Sequence, residues 1–129
     1  MQILIPCSPG ELIDKITILE IKLSEITDVA KIENIKKELS LLTEVQNREI
    51  PHSEELVKLQ TELRAANKKI WDTENDVRQF WNEDMLFLKA SRGSHFNNDE
   101  RARVKRAINE LLGSGIMEEK SHPKYEQKI

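Results

Sequence analysis

Leu12–Ile26 reads LIDKITILEIKLSEI, and its apolar residues decide the fold. Leu12, Ile16, Leu19, Leu23 and Ile26 fall at alternating steps of four and three, the spacing that lines side chains along one stripe of an α-helix. Ile32, Ile35, Leu39 and Leu42 repeat the pattern, and so do Leu56, Leu59, Leu63, Ala66 and Ile70. Helices built this way bury their stripes against one another, in the manner of a coiled coil. The chain is therefore predicted to be all-α: a helical bundle or a long antiparallel helical hairpin.

The flanking residues set the boundaries. Ser8-Pro9-Gly10-Glu11 reads as a capping box, with Ser8 as N-cap and Pro9 at the first helical position. The first helix is placed at Pro9 to Ile26. Thr27 or Asp28 caps a second helix that runs to Gln46 or Arg48. Pro51 then interrupts, and Ser53 caps a third helix. No proline or glycine follows until after Ala90, which predicts one very long helix of about 35 residues and about 50 Å. Its stripe changes after Ile70, passing through Glu74, Val77 and Trp81. Ser91–Asn97 (SRGSHFN) reads as a loop. Asn97 with Glu100 reads as a second capping box, opening a fourth helix with Ala102, Val104, Ile108, Leu111 and Leu112 on its apolar side. Gly113 is the natural residue to end it.

The 129 residues are expected to form a single all-α domain. Residues 1–7 form a short extended arm carrying Ile3, Leu4 and Ile5. Residues 118–129 form a flexible tail unless Tyr125 is anchored. The net charge is −3 with both signs mixed, so a domain-wide electrostatic footprint for nucleic acid is absent and nucleic acid is not the expected partner. The one cysteine, Cys7, suits a reducing compartment. MQILIP is too short and uncharged for a signal peptide, and no apolar run approaches a membrane span. A soluble, cytoplasmic protein is expected.

Each candidate site has a functional and a plainer reading. Glu11 and Asp14 lie one turn apart on the first helix, and Asp72 and Asp76 one turn apart on the third. Carboxylates converging from two helices suit Mg²⁺ or Mn²⁺. Glu11-x-x-Asp14 matches one half of the paired motif of all-α nucleotide pyrophosphohydrolases, while Asp72 to Asp76 lacks the second spacing. The plainer reading is a cap, a helix-dipole partner and a solvated face. Lys15 and Lys22 lie two turns apart and suit a phosphate or carboxylate; a solvated face with a Glu11–Lys15 pair is the ordinary alternative. Arg101, Arg103, Lys105 and Arg106 form the dense basic cluster, suited to phosphate or, answered by Glu100 and Glu110, to a salt-bridged surface. Trp71, Phe80 and Trp81 gather on one helix and read as core or oligomer interface rather than a ligand pocket. Cys7 precedes a helix N-terminus but reads as a structural thiol. The sequence carries no metal-binding motif and requires no cofactor.

Two blocks resemble a family. Gly10-Glu-Leu-Ile-Asp-Lys-Ile-Thr-Ile-Leu-Glu-Ile-Lys22 opens the chain, and Asn98-Asp-Glu-Arg-Ala-Arg-Val-Lys-Arg-Ala-Ile-Asn-Glu-Leu-Leu-Gly-Ser114 with Glu118-Glu-Lys-Ser121 closes it. Together they resemble a small bacterial family of unknown function, with Trp71-Asp72 as a middle match. The resemblance implies a stand-alone α-helical protein and supplies no catalytic residues. It directs attention to Glu11, Asp14, Lys15, Thr17 and Lys22 at one end, and to Asn98, Asp99, Arg101, Lys105 and Asn109 at the other. The opening also has an echo of the α-helical chorismate mutases, but the first helix holds no arginine to grip their two carboxylates.

These readings favour a helical interaction module, working as a homodimer or with a partner protein. The alternative is a metal- or anion-binding enzyme using carboxylates and lysines of the first and third helices.

Overall fold

The computed structural model describes residues 1–125, and all of its regular structure is helical: α1 (Pro9–Glu25), α2 (Val29–Glu49), α3 (Glu54–Gln79) and α4 (Asp84–Leu111). Three starts follow the expected chemistry. Ser8 Oγ accepts the Glu11 N–H at 3.2 Å, Asp28 Oδ1 the Lys31 N–H at 3.0 Å, and Ser53 Oγ the Leu56 N–H at 3.1 Å. Each satisfies a donor that the first turn leaves free. At the other end, Gly113 adopts φ +62°. Its N–H meets Glu110 O, and the Ser114 N–H reaches back to Asn109 O at 2.9 Å, which is a Schellman closure.

The long third helix is corrected. It stops at Gln79, and Phe80–Glu83 make a turn in which the Glu83 N–H bonds to Phe80 O at 2.9 Å. Asn97 and Glu100 are not a cap but lie inside α4, together with the whole SRGSHFN segment. The reason lies in packing. Phe87, Ala90, Ser94, Asn97, Arg101, Val104 and Ile108 continue at helical spacing along the more buried side of α4. Gly93, beside this seam, faces α3, where a Cβ would meet Thr73 Cγ2 at 3.5 Å, an ordinary van der Waals distance. Composition marks Ser91–Asn97 as a loop, whereas Ser94 and Asn97 take their places in this helical seam.

α3 and α4 lie antiparallel. Leu56 shares a cluster with Ile108, Arg103 pairs with Glu62, Ser94 bonds Glu74, and Trp81 stacks edge-on against Phe87 with centroids 5.2 Å apart. α1 packs on both and on α2 as well, so it has two apolar faces. Ile13 joins Leu56, Leu63, Val104 and Ile108 in a fully buried core, edged by Ile50, Leu59 and Leu112. Leu12, Ile16 and Leu19 form the separate stripe foreseen in the sequence. They adjoin Lys15, which reaches Glu38 of α2 at 3.5 Å, and so face α2. The arm before α1 is non-helical, with Ile3, Leu4, Ile5 and Cys7 all exposed. The expectation of a flexible tail extends to residues 126–129, which lie outside the described residues. Tyr125 itself is anchored, its hydroxyl donating to Asp99 Oδ2 at 2.6 Å.

Candidate functional site

The two sequence blocks meet in space where the N-terminal half of α1 crosses α3 and α4. Gly10 makes the approach possible. Its N–H donates to Asn109 Oδ1 at 2.7 Å, and a Cβ there would fall 2.6 Å from the backbone oxygen of Lys105. No side chain fits in that gap, so α1 enters on a bare backbone.

One turn further, Asp14 is almost completely enclosed, at 1% exposure. Arg101 grips it in a fork: Nε donates to Oδ1 at 2.8 Å and Nη2 to Oδ2 at 2.5 Å. Asn67 Nδ2 donates both to Asp14 Oδ1 and to Thr17 Oγ1, each at 2.9 Å, while the Thr17 hydroxyl donates to the Asp14 carbonyl at 2.8 Å. Helices α1, α3 and α4 thus share one charged, fully bonded knot. Among the described residues no buried side-chain nitrogen or oxygen is left without a partner. Burial alone would raise the Asp14 carboxyl. The bonds from Arg101 and Asn67, with the charges of Arg101 and Lys105, outweigh it and hold the group below its ordinary value.

Beside the knot, the nearly buried Lys105 ammonium donates to Glu11 Oε2 at 2.8 Å and to Glu118 Oε2 at 3.2 Å. Glu118 also pairs with Lys120 at 2.8 Å. The bonds from Lys120 and Lys105 bring the Glu118 carboxyl down to about 2. Arg106 pairs with Glu110 at 3.2 Å and Glu119 at 3.3 Å, and Arg103 with Glu100 at 2.6 Å. The acidic answer to the basic cluster read from the sequence is therefore present.

The residues singled out from the sequence separate into two groups. Glu11, Asp14, Arg101 and Lys105 converge. Lys15, Lys22, Asp72 and Asp76 do not join them. Lys15 turns outward to Glu38 of α2 instead of pairing with Glu11. Lys22 is half-buried at the far end of α1. Asp72 faces solvent and pairs with Lys68 at 2.6 Å, and Asp76 lies a turn beyond it on α3. Among the described residues no group of three or more His, Cys, Asp or Glu is arranged to hold a metal ion. Sequence reasoning missed Asn67, which ties Asp14 to α3. Its only signal was an amide directly after Ala66 in an apolar seam.

The aromatic residues do not join the buried core. Trp71 and Phe80 are half-buried, and Trp81 is 64% exposed. A shallow cavity of about 330 Å³ lies between α1 and α3, walled by Trp71, Ile21 and Ile70 with Asn67 and Arg101 at its polar side. The outer end of the α3–α4 pair is different again. α1 makes its last ion pair to α3 at Lys68, from Glu25 at 3.1 Å. Among the helices α2 packs only on α1, with Gln46 bonded to Gln60 as a side-chain link to α3. The far end is left as two helices covering each other, with Trp81, Met85 (81%), Leu86 and Leu88 exposed.

Residues 2–126 match the model of a family described as a family of unknown function (DUF6165). No curated protein and no solved structure matches the chain. No helix of the described residues is long and apolar enough to cross a membrane.

Proposed function

The chain belongs to this family of unknown function, and we propose that it is a helical interaction module that self-associates through the outer end of the α3–α4 pair. One observation carries the reading: Trp81, Met85, Leu86 and Leu88 are all exposed at this end of the α3–α4 pair, and Met85 and Leu88, three residues apart, share one face of α4. A helix layer with an apolar side is stable when that side is buried. Scattered exposed apolar residues are ordinary, but a contiguous group of large ones marks an interaction surface. Aromatic and methionine side chains are also those enriched at interface centres. A twofold arrangement would set one α3–α4 pair against another as four helices, the usual closed solution for such layers.

The enzyme reading has less support. Its best carboxylate, Asp14, has both oxygens engaged by Arg101 and Asn67. Glu11 lies against Lys105, and Asp72 and Asp76 lie apart from both.

Light scattering at tens of micromolar is expected to give twice the 15.0 kDa chain mass. Trp81→Glu with Met85→Glu is expected to give one chain mass with unchanged helical circular dichroism. A wild-type mass of one chain across micromolar concentrations overturns self-association.

A further inference from the structure

A later segment of the chain lies along the basic side of α4. After the Schellman closure the chain reverses and runs back along α4 without regular structure. Glu118 lies at Lys105, Glu119 at Arg106, and Tyr125 at Asp99, nearly two turns up the helix. Side chains hold this strap. Lys105 Nζ meets Glu118 Oε2 at 3.2 Å, Arg106 Nη1 meets Glu119 Oε1 at 3.3 Å and Glu118 O at 3.5 Å, and the Tyr125 hydroxyl meets Asp99. Glu118 and Glu119 keep 43% and 74% of their side-chain surface in water.

We propose that the face of α4 formed by Lys105, Arg106 and Asn109 is a docking site for an extended acidic peptide segment of a partner protein, and that residues 114–125 occupy it in cis until displaced.

Three features support this beyond a charged surface. First, the occupant is visible: a segment without regular structure carrying two adjacent carboxylates, of which Glu118 is also paired with the strap's own Lys120 at 2.8 Å, with one carbonyl engaged by Arg106. Second, the site outlives its occupant. Lys105 has a bond of its own to Glu11 (2.8 Å) and Arg106 one to Glu110 (3.2 Å), neither of which involves the strap. At each of these two cations the contact to the strap is the longer one, 3.2 Å against 2.8 Å at Lys105 and 3.3 to 3.5 Å against 3.2 Å at Arg106, while Tyr125 holds Asp99 at 2.6 Å. Third, the strap leaves room beneath it. A cavity of about 300 Å³ remains between Arg103, Lys105, Arg106 and Asn109 on one side and Glu118–Lys120 on the other. The exposed Arg106–Glu119 pair is worth about 0–1 kcal/mol, and the tether keeps the strap at roughly millimolar effective concentration. A free acidic segment must compete with that concentration. The site is independent of the self-association proposed above.

The test uses the full-length chain and a fluorescent peptide of residues 114–125, read by anisotropy in low salt. Glu118→Ala with Glu119→Ala removes the competing carboxylates and is expected to bind the peptide about tenfold more tightly than wild type, since the competent fraction of sites rises. Adding Arg106→Ala to that variant, an exposed position whose change leaves the fold intact, is expected to abolish binding. A peptide with both glutamates replaced by alanine is expected not to bind. Equal binding by wild type and the double variant, or equal binding of the alanine peptide, overturns the proposal. So does displacement of the peptide by inorganic phosphate at low millimolar concentration, which would mark a small-anion site.

Discussion

The inner and outer ends of the α3–α4 pair invert the usual distribution of side chains. At the inner end, where α1 crosses, the molecule buries a carboxylate and an amide, the carboxylate held by a half-buried guanidinium. At the outer end it exposes a tryptophan, a methionine and two leucines. The inner charges are answered within the chain, down to both oxygens of Asp14, so they fix how three helices meet. The outer apolar groups are answered only in part among the described residues, Trp81 by the edge of Phe87, and Met85 stays 81% exposed. Polarity by itself therefore does not locate function in this protein. The balance between what a group needs and what its neighbours supply is more informative.

The comparison breaks most severely at Arg101. Arg101→Ala leaves the enclosed Asp14 carboxylate with Asn67 as its remaining side-chain donor. Removing one partner of a buried pair costs about 3–5 kcal/mol. Chemical denaturation is expected to show a loss of that size. Asp14→Leu combined with Arg101→Met is expected to recover most of it, because the cost belongs to the stranded charge. Acid sharpens the same point. Asp14 has a lowered pKa, so its contribution is present above the ordinary aspartate value and is lost as the pH falls through the depressed one. Thermal melts at descending pH are expected to be steeper in wild type than in Asp14→Asn. Parallel acid limbs would show that the knot does not carry this linkage.

Next in size is Gly10→Ala. The added methyl would lie 2.6 Å from Lys105 O and 2.8 Å from Asn109 Oδ1. The first of these is backbone, so α1 must move away from α4. Overpacking of this kind costs about 1–3 kcal/mol. The expected melting temperature falls even though alanine is the better helix former.

This substitution also marks how far the sequence could be read. The stripes of α1 and α3, three caps and the Gly113 closure follow local rules, and each was visible in order along the chain. Glu11, Asp14, Arg101 and Lys105 were visible as candidates too. Their pairing was not, because Asp14 and Arg101 stand 87 positions apart and local spacing favoured Glu11 with Lys15. Asn67 was hidden for the opposite reason: a single amide in an apolar seam gives no periodic signal. The turn at Phe80–Glu83 contains neither proline nor glycine, so nothing punctuated it. The SRGSHFN stretch does contain such signals, and α4 runs through it all the same.

At the outer end the expected effects on stability are smaller and those on association larger. Trp81→Ala removes the edge-on contact to Phe87, worth less than about 1.5 kcal/mol beyond the area it buries. The folded chain should tolerate it, while sedimentation should show the dimer shifted toward single chains. A large stability loss with association unchanged would make Trp81 a support for the turn rather than an interface residue.

Gly93→Ala gives the smallest effect, and its sign differs from that at Gly10. Gly93 lies within α4, and an added Cβ would meet Thr73 Cγ2 at 3.5 Å, an ordinary van der Waals distance. No positive φ is present there to oppose it. Alanine in a helix interior is favoured over glycine by about 0.8–1.0 kcal/mol, so Gly93→Ala is expected to raise stability by up to that amount in urea denaturation. If it lowers stability instead, α4 needs the bare backbone at its outer end as α1 does at Gly10, and the two helices are held there by a contact tighter than 3.5 Å. A gain beside the loss at Gly10 would show that close approach is obligatory where the charges are buried and optional where the apolar side chains are exposed.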